Sequence, residues 1–274
     1  MRRRLIKRLL KRLNLFLMSF LRKTYVSQQR ILNKIYMAVN LMKYFKNLCL
    51  ILCAFIIASN AYALESKTLD MFDKTRDRNV PVVIYQGETI NKPAVIISHG
   101  YGIKNTEYSF IANALATRGY FVVTIQHDLE TDKPLSTTGN LFERRNPLWE
   151  RGVQNILFVM NELQKIEPQL NLNKVILIGH SNGGDMSMLM AQTHPKMVSK
   201  VISLDSRRYP FPRNPKLEIL RFGAIDDEPD EGVVPESGVQ VIYVKGALHI
   251  DLCDRGSPEI KDEIQKSIIQ FLDR

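Results

Sequence analysis

Residues 174–185, Lys-Val-Ile-Leu-Ile-Gly-His-Ser-Asn-Gly-Gly-Asp, constrain the fold more than any other stretch of this 274-residue chain. Five residues, mostly β-branched or leucine, run straight into Gly179-x-Ser181-x-Gly183, and a helix-compatible run from Met186 to Gln192 follows. A strand that enters a tight turn and opens a helix holds Ser181 at the apex, in a strained backbone conformation with its hydroxyl clear of the sheet. Gly179 and Gly183 flank it because side chains there would collide with the crossing strand and helix. Asn182 would supply a backbone N–H at the helix start, aimed where negative charge develops on an attacked carbonyl. At average glycine usage a Gly-x-Ser-x-Gly arises by chance in about one chain in ten of this length. The strand before it and the helix after it are what give it meaning.

The rest of the chain reads as strands alternating with helices. Strands are expected at 80–85, 93–98, 120–126, 198–204, 217–223 and 239–245. The unbroken apolar run Ala94-Val95-Ile96-Ile97 suggests a strand buried on both faces. Helices are expected from Asn105 to Arg118, from Asn146-Pro147 onward with Trp149, Val153, Ile156, Met160 and Leu163 on one stripe, after the elbow, and from Ser257-Pro258 to the end. This pattern predicts an α/β fold with a mostly parallel central sheet and helices on both faces. The polar stretch 129–145 is the only one long enough for a lid, and it is short, so little or no cap is expected.

A serine hydroxyl is a weak nucleophile unless a base takes its proton and a carboxylate orients that base. His249 follows the last expected strand and so shares the loop face with Ser181. Two carboxylates follow strands on that face: Asp226, three residues after Gly223, and Asp205. His127 and Asp128 are adjacent, so on an extended segment their side chains point opposite ways and cannot serve each other. His180, inside the motif, is expected to pack around the elbow rather than act as the base. The acidic run around Asp227, Glu228, Asp230 and Glu231 fits no metal-binding spacing, and neither a metal nor a cofactor is expected.

The elbow, the stretch Ser98-His99-Gly100-Tyr101-Gly102 and the late His249 resemble the α/β-hydrolase family over roughly residues 70–274. Within it, Asp77-Arg78-Asn79-Val80-Pro81-Val82 and Leu204-Asp205-Ser206 are similar to stretches of the dienelactone-hydrolase-like and platelet-activating-factor-acetylhydrolase-like esterases. The resemblance implies a catalytic triad of Ser181, an acid and His249, with the Tyr101 and Asn182 backbone N–H groups as the oxyanion hole. Most of the family carries the acid at the Asp226 position, and the acetylhydrolase branch carries it at the Asp205 position, so the resemblance favours Asp226 and leaves Asp205 as the alternative acid. The implied activity is a serine hydrolase of the carboxylesterase type, acting on a small-molecule ester. Peptidase or amidase action, or a non-catalytic binding protein on the same fold, are the alternatives.

Charge divides the chain. Residues 1–63 hold 13 of the 38 Lys and Arg and none of the 28 Asp and Glu, which leaves 25 basic and 28 acidic residues, a net −3, for 64–274. The overall +10 therefore gives no reason to expect nucleic acid binding by the domain. From Met42 the chain reads as a signal peptide: Lys43 and Lys46, an apolar run of 11 residues from Leu48 to Ala58, then Ala61-Tyr62-Ala63 as a cleavage site. The expected organisation is a basic leader or gene-model extension over 1–41, a signal peptide over 42–63 and one hydrolase domain over 64–274, secreted or periplasmic after cleavage. Membrane contact is expected only through the leader, and no oligomeric state is implied. Cys253 alone remains after cleavage, so no intrachain disulfide can form.

Overall fold

The computed structural model describes residues 18, 36, 37, 40–46, 65–226 and 228–274. The chain divides into two compact units, 1–63 and 64–274, and the second carries the fold. Most of the expected leader and signal peptide, with the Ala63 site, lies outside the described residues.

The second unit opens with a hairpin. β1 (Glu65–Asp73) pairs antiparallel with β2 (Arg78–Gln86). The turn between them is held by Asp73, whose Oδ1 accepts the Thr75 N–H at 2.9 Å, and it closes with Asp77 at φ 49°. β1 is absent from the strands expected above. Its signal is the alternation of Leu69 and Met71, which face the core, with Thr68, Asp70 and the exposed Phe72 between and beside them.

The remaining strands are β3 (Ala94–Ser98), β4 (Phe121–Ile125), β5 (Val175–His180), β6 (Val198–Leu204), β7 (Glu218–Gly223) and β8 (Val239–Tyr243). Their order across the sheet is β1-β2-β4-β3-β5-β6-β7-β8, and every pairing from β4 to β8 is parallel. Successive strands lie on opposite sides of β3, β4 to one side and β5 to the other, and loops at the carboxyl ends of such strands frame a crevice. Register aligns those ends: Ser98 opposes Gly179, His180 opposes Leu204, and Leu204 opposes Phe222. The residues that follow, His99 to Tyr101, Ser181, Asp205 and Ala224 to Asp226, therefore emerge along one edge.

Both sheet faces are covered. α1 (Ser109–Ala116) and α4 (Pro258–Leu272) pack Ile111, Leu115, Ile264 and Ile268 against Val95, Ile97, Ile176 and Ile178. α2 (Leu141–Ile166) and α3 (Asn182–Thr193) pack Trp149, Ile156, Met186 and Met190 against Ile96, Val175 and Leu177. Alternate residues of β3 and β5 thus serve opposite cores, which is why both strands read as unbroken apolar runs.

Two helix starts differ from expectation. α2 begins at Leu141 rather than at Asn146-Pro147, because the Asn140 side chain accepts the Glu143 N–H at 3.3 Å and so caps an earlier turn. Pro147 sits inside the helix at the cost of one backbone hydrogen bond. α1 begins at Ser109, and its first N–H groups are capped from 144 and 145 positions away: Asp254 accepts from Ser109 and Phe110, both at 3.0 Å. Asn105 caps nothing; it is buried and donates to the Thr124 carbonyl at 3.1 Å.

Candidate active site

Ser181 lies between β5 and α3 with φ 53° and ψ −120°, in the left-handed region that a residue with a Cβ enters only under constraint. Tight crossing supplies the constraint. A Cβ on Gly179 would stand 2.3 Å from the Gly183 carbonyl oxygen, and one on Gly183 would stand 2.3 Å from the Ser98 carbonyl oxygen. The Ser181 N–H donates to the Leu204 carbonyl at 3.0 Å, which ties the elbow to the end of β6.

His249 opens a 3₁₀ turn, His249–Leu252, on the loop after β8. Its Nδ1–H donates to Asp205 Oδ2 at 2.8 Å. A carboxylate only accepts, so the proton sits on Nδ1 and the lone pair is on Nε2, as a general base requires. Asp205 is fully buried, with φ 57°, the second strained non-glycine residue of the site. Arg221, itself buried, donates to Oδ1 at 2.9 Å, and Arg207 Nε donates to Oδ2 at 2.8 Å. Burial pushes the Asp205 carboxyl up, but the His249 hydrogen bond and the Arg207 guanidinium outweigh it and hold the group below its ordinary 3.8.

Of the two candidate acids, it is Asp205 whose carboxylate meets the His249 imidazole. Asp226, favoured because most of the resembling family carries the acid there, is exposed, and among the described residues its hydrogen bonds go to the His249 backbone and to Arg207 rather than to the imidazole. Its Oδ1 accepts the His249 backbone N–H at 3.0 Å and pairs with Arg207 at 3.2 Å. Asp205 reaches the ring because the left-handed backbone at the end of β6 aims its side chain toward Arg221 and the β8 loop. Spacing from a strand end does not encode that direction.

The stretch after β3 lies against the elbow: a Cβ on Gly100 would stand 3.4 Å from Ser181 Cβ and 3.1 Å from His180 Nδ1. Tyr101 and Asn182 follow Gly100 and Ser181 directly, and among the described residues neither backbone N–H is taken by a protein acceptor. Asn182 is 2% exposed, and its side-chain oxygen accepts from Trp149 Nε1 at 2.7 Å. The sole tryptophan, read as a core residue, is fully buried and also holds the residue that follows Ser181.

A family model described as alpha/beta hydrolase fold matches residues 93–224. The chain is an α/β-hydrolase-fold protein. It is 24% identical over 211 residues to platelet-activating factor acetylhydrolase of Cavia porcellus, a match covering 59% of this chain and 48% of that protein. It is 29% identical over 124 residues to a putative esterase/lipase of Haemophilus influenzae, covering 45% of this chain and 38% of that protein. The matches span less than half of those relatives' own lengths. Among solved structures, a ferulic acid esterase from Streptomyces cinnamoneus superposes with TM-score 0.61 at 15% identity, over 78% of this chain and 91% of that one. Pyrococcus horikoshii acylaminoacyl peptidase gives TM-score 0.56 at 17% identity, over 80% of this chain and 43% of that one. At these identities the superpositions speak for the fold alone.

In this α/β-hydrolase-fold chain, sequence reasoning left two supporting residues out. Arg221 lies inside β7, where a charged side chain in an otherwise buried run was the available signal. Tyr108 is a buried polar ring beside the elbow, visible in sequence only as one more aromatic, and it meets His180, which is buried there.

Proposed function

We propose that the chain is a serine hydrolase of the carboxylesterase type that cleaves a small-molecule ester through an acyl-enzyme on Ser181. The observation that carries this reading is the His249 Nδ1–Asp205 Oδ2 hydrogen bond of 2.8 Å beside a serine held at φ 53°. His249 Nε2 takes the Ser181 hydroxyl proton as Oγ bonds to the ester carbonyl carbon. The carbonyl oxygen becomes an oxyanion, for which the Tyr101 and Asn182 N–H groups are the donors. Collapse breaks the carbon–oxygen bond to the leaving alcohol, which departs with the proton from His249. Water, deprotonated by His249, then attacks the acyl carbon; the bond from that carbon to Ser181 Oγ breaks, His249 returns the proton to Oγ, and the carboxylic acid leaves. The esterase and acetylhydrolase names among the relatives support an ester as the substrate.

Covalent labelling by a fluorophosphonate, with turnover of a graded series of p-nitrophenyl esters, tests the reading. Ser181→Ala should abolish both without unfolding the domain. A wild-type protein that neither labels nor hydrolyses any short ester would make this a binding protein on a hydrolase fold.

We also propose export with removal of the leader, motivated by the charge division and the Ala61-Tyr62-Ala63 site. Amino-terminal sequencing of exported protein should begin near Leu64. Retention of Arg2 to Arg12 in the mature protein would overturn this.

A further inference from the structure

A chain of hydrogen bonds crosses beneath the candidate site without using the Ser181 hydroxyl, the His249 imidazole or the Asp205 carboxylate. The Gly100 N–H donates to Tyr108 Oη at 2.9 Å. Tyr108 Oη lies 2.8 Å from His180 Nδ1, and His180 Nε2 lies 2.9 Å from the His249 carbonyl oxygen. That last contact sets every proton in the chain. A carbonyl only accepts, so Nε2 carries the hydrogen, Nδ1 carries the lone pair, and Tyr108 donates to it. Burial, reinforced by the neighbouring His249 ring, presses the His180 pKa down to about 3, so the ring stays neutral and keeps this single arrangement. Tyr108 and His180 are both fully buried.

An imidazole is a costly filler for a position that only needs packing, since its desolvation must be offset by hydrogen bonds. Here both ring nitrogens are used, and they reach segments 72 and 69 positions away. One is Tyr108 at the start of α1, which in turn accepts the Gly100 N–H from the loop that presents the Tyr101 N–H. The other is the main chain of His249, whose N–H is already held by Asp226 and whose ring is held by Asp205.

Resting on the serine-hydrolase reading above, we propose that His180 is a positioning residue that locks the oxyanion loop and the base loop to one another through Tyr108 and the His249 carbonyl. It moves no proton in the reaction. It sets the distance at which His249 Nε2 and the Tyr101 N–H approach the same substrate carbonyl.

The test measures kcat and KM for a p-nitrophenyl ester with wild type, Tyr108→Phe, His180→Leu, His180→Gln and Tyr108→Phe/His180→Leu, with folding followed by circular dichroism. His180→Leu should lower kcat by about 10²-fold, the scale of an ångström-sized misplacement, with KM little changed. Tyr108→Phe should lower kcat by a smaller factor. The double variant should lose less than the product of the single losses, because both cut one chain. His180→Gln, whose amide N–H can reach the His249 carbonyl, should recover part of the loss. A residue that only packs would lower the melting temperature and leave kcat per folded molecule unchanged, and that result in the two His180 variants and Tyr108→Phe overturns the proposal. If His180→Leu does not fold, Tyr108→Phe and His180→Gln decide by the same criterion. A wild type that neither labels nor hydrolyses esters sinks the hydrolase reading and this inference with it, whereas an active wild type with unaffected variants sinks this inference alone.

Discussion

Two pairs of histidine rings sit at the carboxyl edge of the sheet, and they are wired in opposite ways. His99 and His127 have ring centroids 5.6 Å apart, and His180 and His249 are 4.8 Å apart. In the first pair every ring nitrogen is occupied. His99 Nδ1–H donates to the Gly100 carbonyl at 2.8 Å, and its Nε2 accepts the His127 backbone N–H at 2.8 Å. His127 Nε2–H donates to Ser98 Oγ at 3.0 Å, and its Nδ1 faces the Asn155 amide at 3.4 Å. Burial pushes both pKa values down, His127 well below its ordinary 6.5. His180 is saturated in the same manner, but for its neighbour His249 no hydrogen bond to Nε2 is found among the described residues, and an ionised carboxylate sits on Nδ1. Nearness of two imidazoles therefore does not mark a base. An unoccupied nitrogen opposite a charged partner does.

The largest effect should come from breaking the wiring peculiar to His249. Asp205→Asn removes control of the tautomer and the stabilisation of the charged ring, and a triad acid changed to its amide loses about 10⁴-fold in kcat. A loss of less than tenfold by steady-state kinetics, in a protein that is still folded, would detach Asp205 from catalysis. Next comes the inert pair. His127→Ala should cost about 1–3 kcal/mol for each buried partner left unsatisfied at Ser98 and Asn155, read by urea denaturation, with kcat per folded molecule near wild type. Lost turnover at unchanged stability would give His127 a chemical role that its contacts do not suggest.

Asp226→Asn should do less to catalysis than Asp205→Asn, because an amide oxygen still accepts the His249 N–H and the residue is exposed. The opposite ranking of kcat would restore Asp226 as the acid. The last effect is on the pH dependence of stability and not on turnover. The folded pKa of His180, about 3, lies below its ordinary 6.5, so the stability this neutral ring contributes is complete above 6.5 and is lost as pH falls toward 3. Melting temperatures across that range should fall less steeply in His180→Leu than in wild type, and equal slopes would show that the ring is not kept neutral by the fold.

The elbow was legible because its causes are local. Gly179 and Gly183 are small where the strand and helix leave 2.3 Å for a Cβ, and both glycines stand within two residues of Ser181 in the chain. The parallel sheet was legible for a similar reason, since runs such as Val95 to Ile97 record burial on both faces. His249 could be placed on the loop edge from its position after the last strand. The short range of such signals also explains the failures. The start of α1 depends on Asp254, 145 residues beyond Ser109, and nothing near Asn105 announces it.

The choice between Asp205 and Asp226 was of the same kind. Each follows a strand on the right edge of the sheet, 44 and 23 residues before His249, and sequence order treats them alike. What separates them is the direction of one side chain, set by a left-handed backbone at the end of β6 and by Arg221 from the adjacent strand. A chain records in its neighbouring residues what sterics forbid there. Which distant carboxylate meets a ring is a matter of orientation in three dimensions, and it exists only once β6, β7 and the β8 loop are packed together.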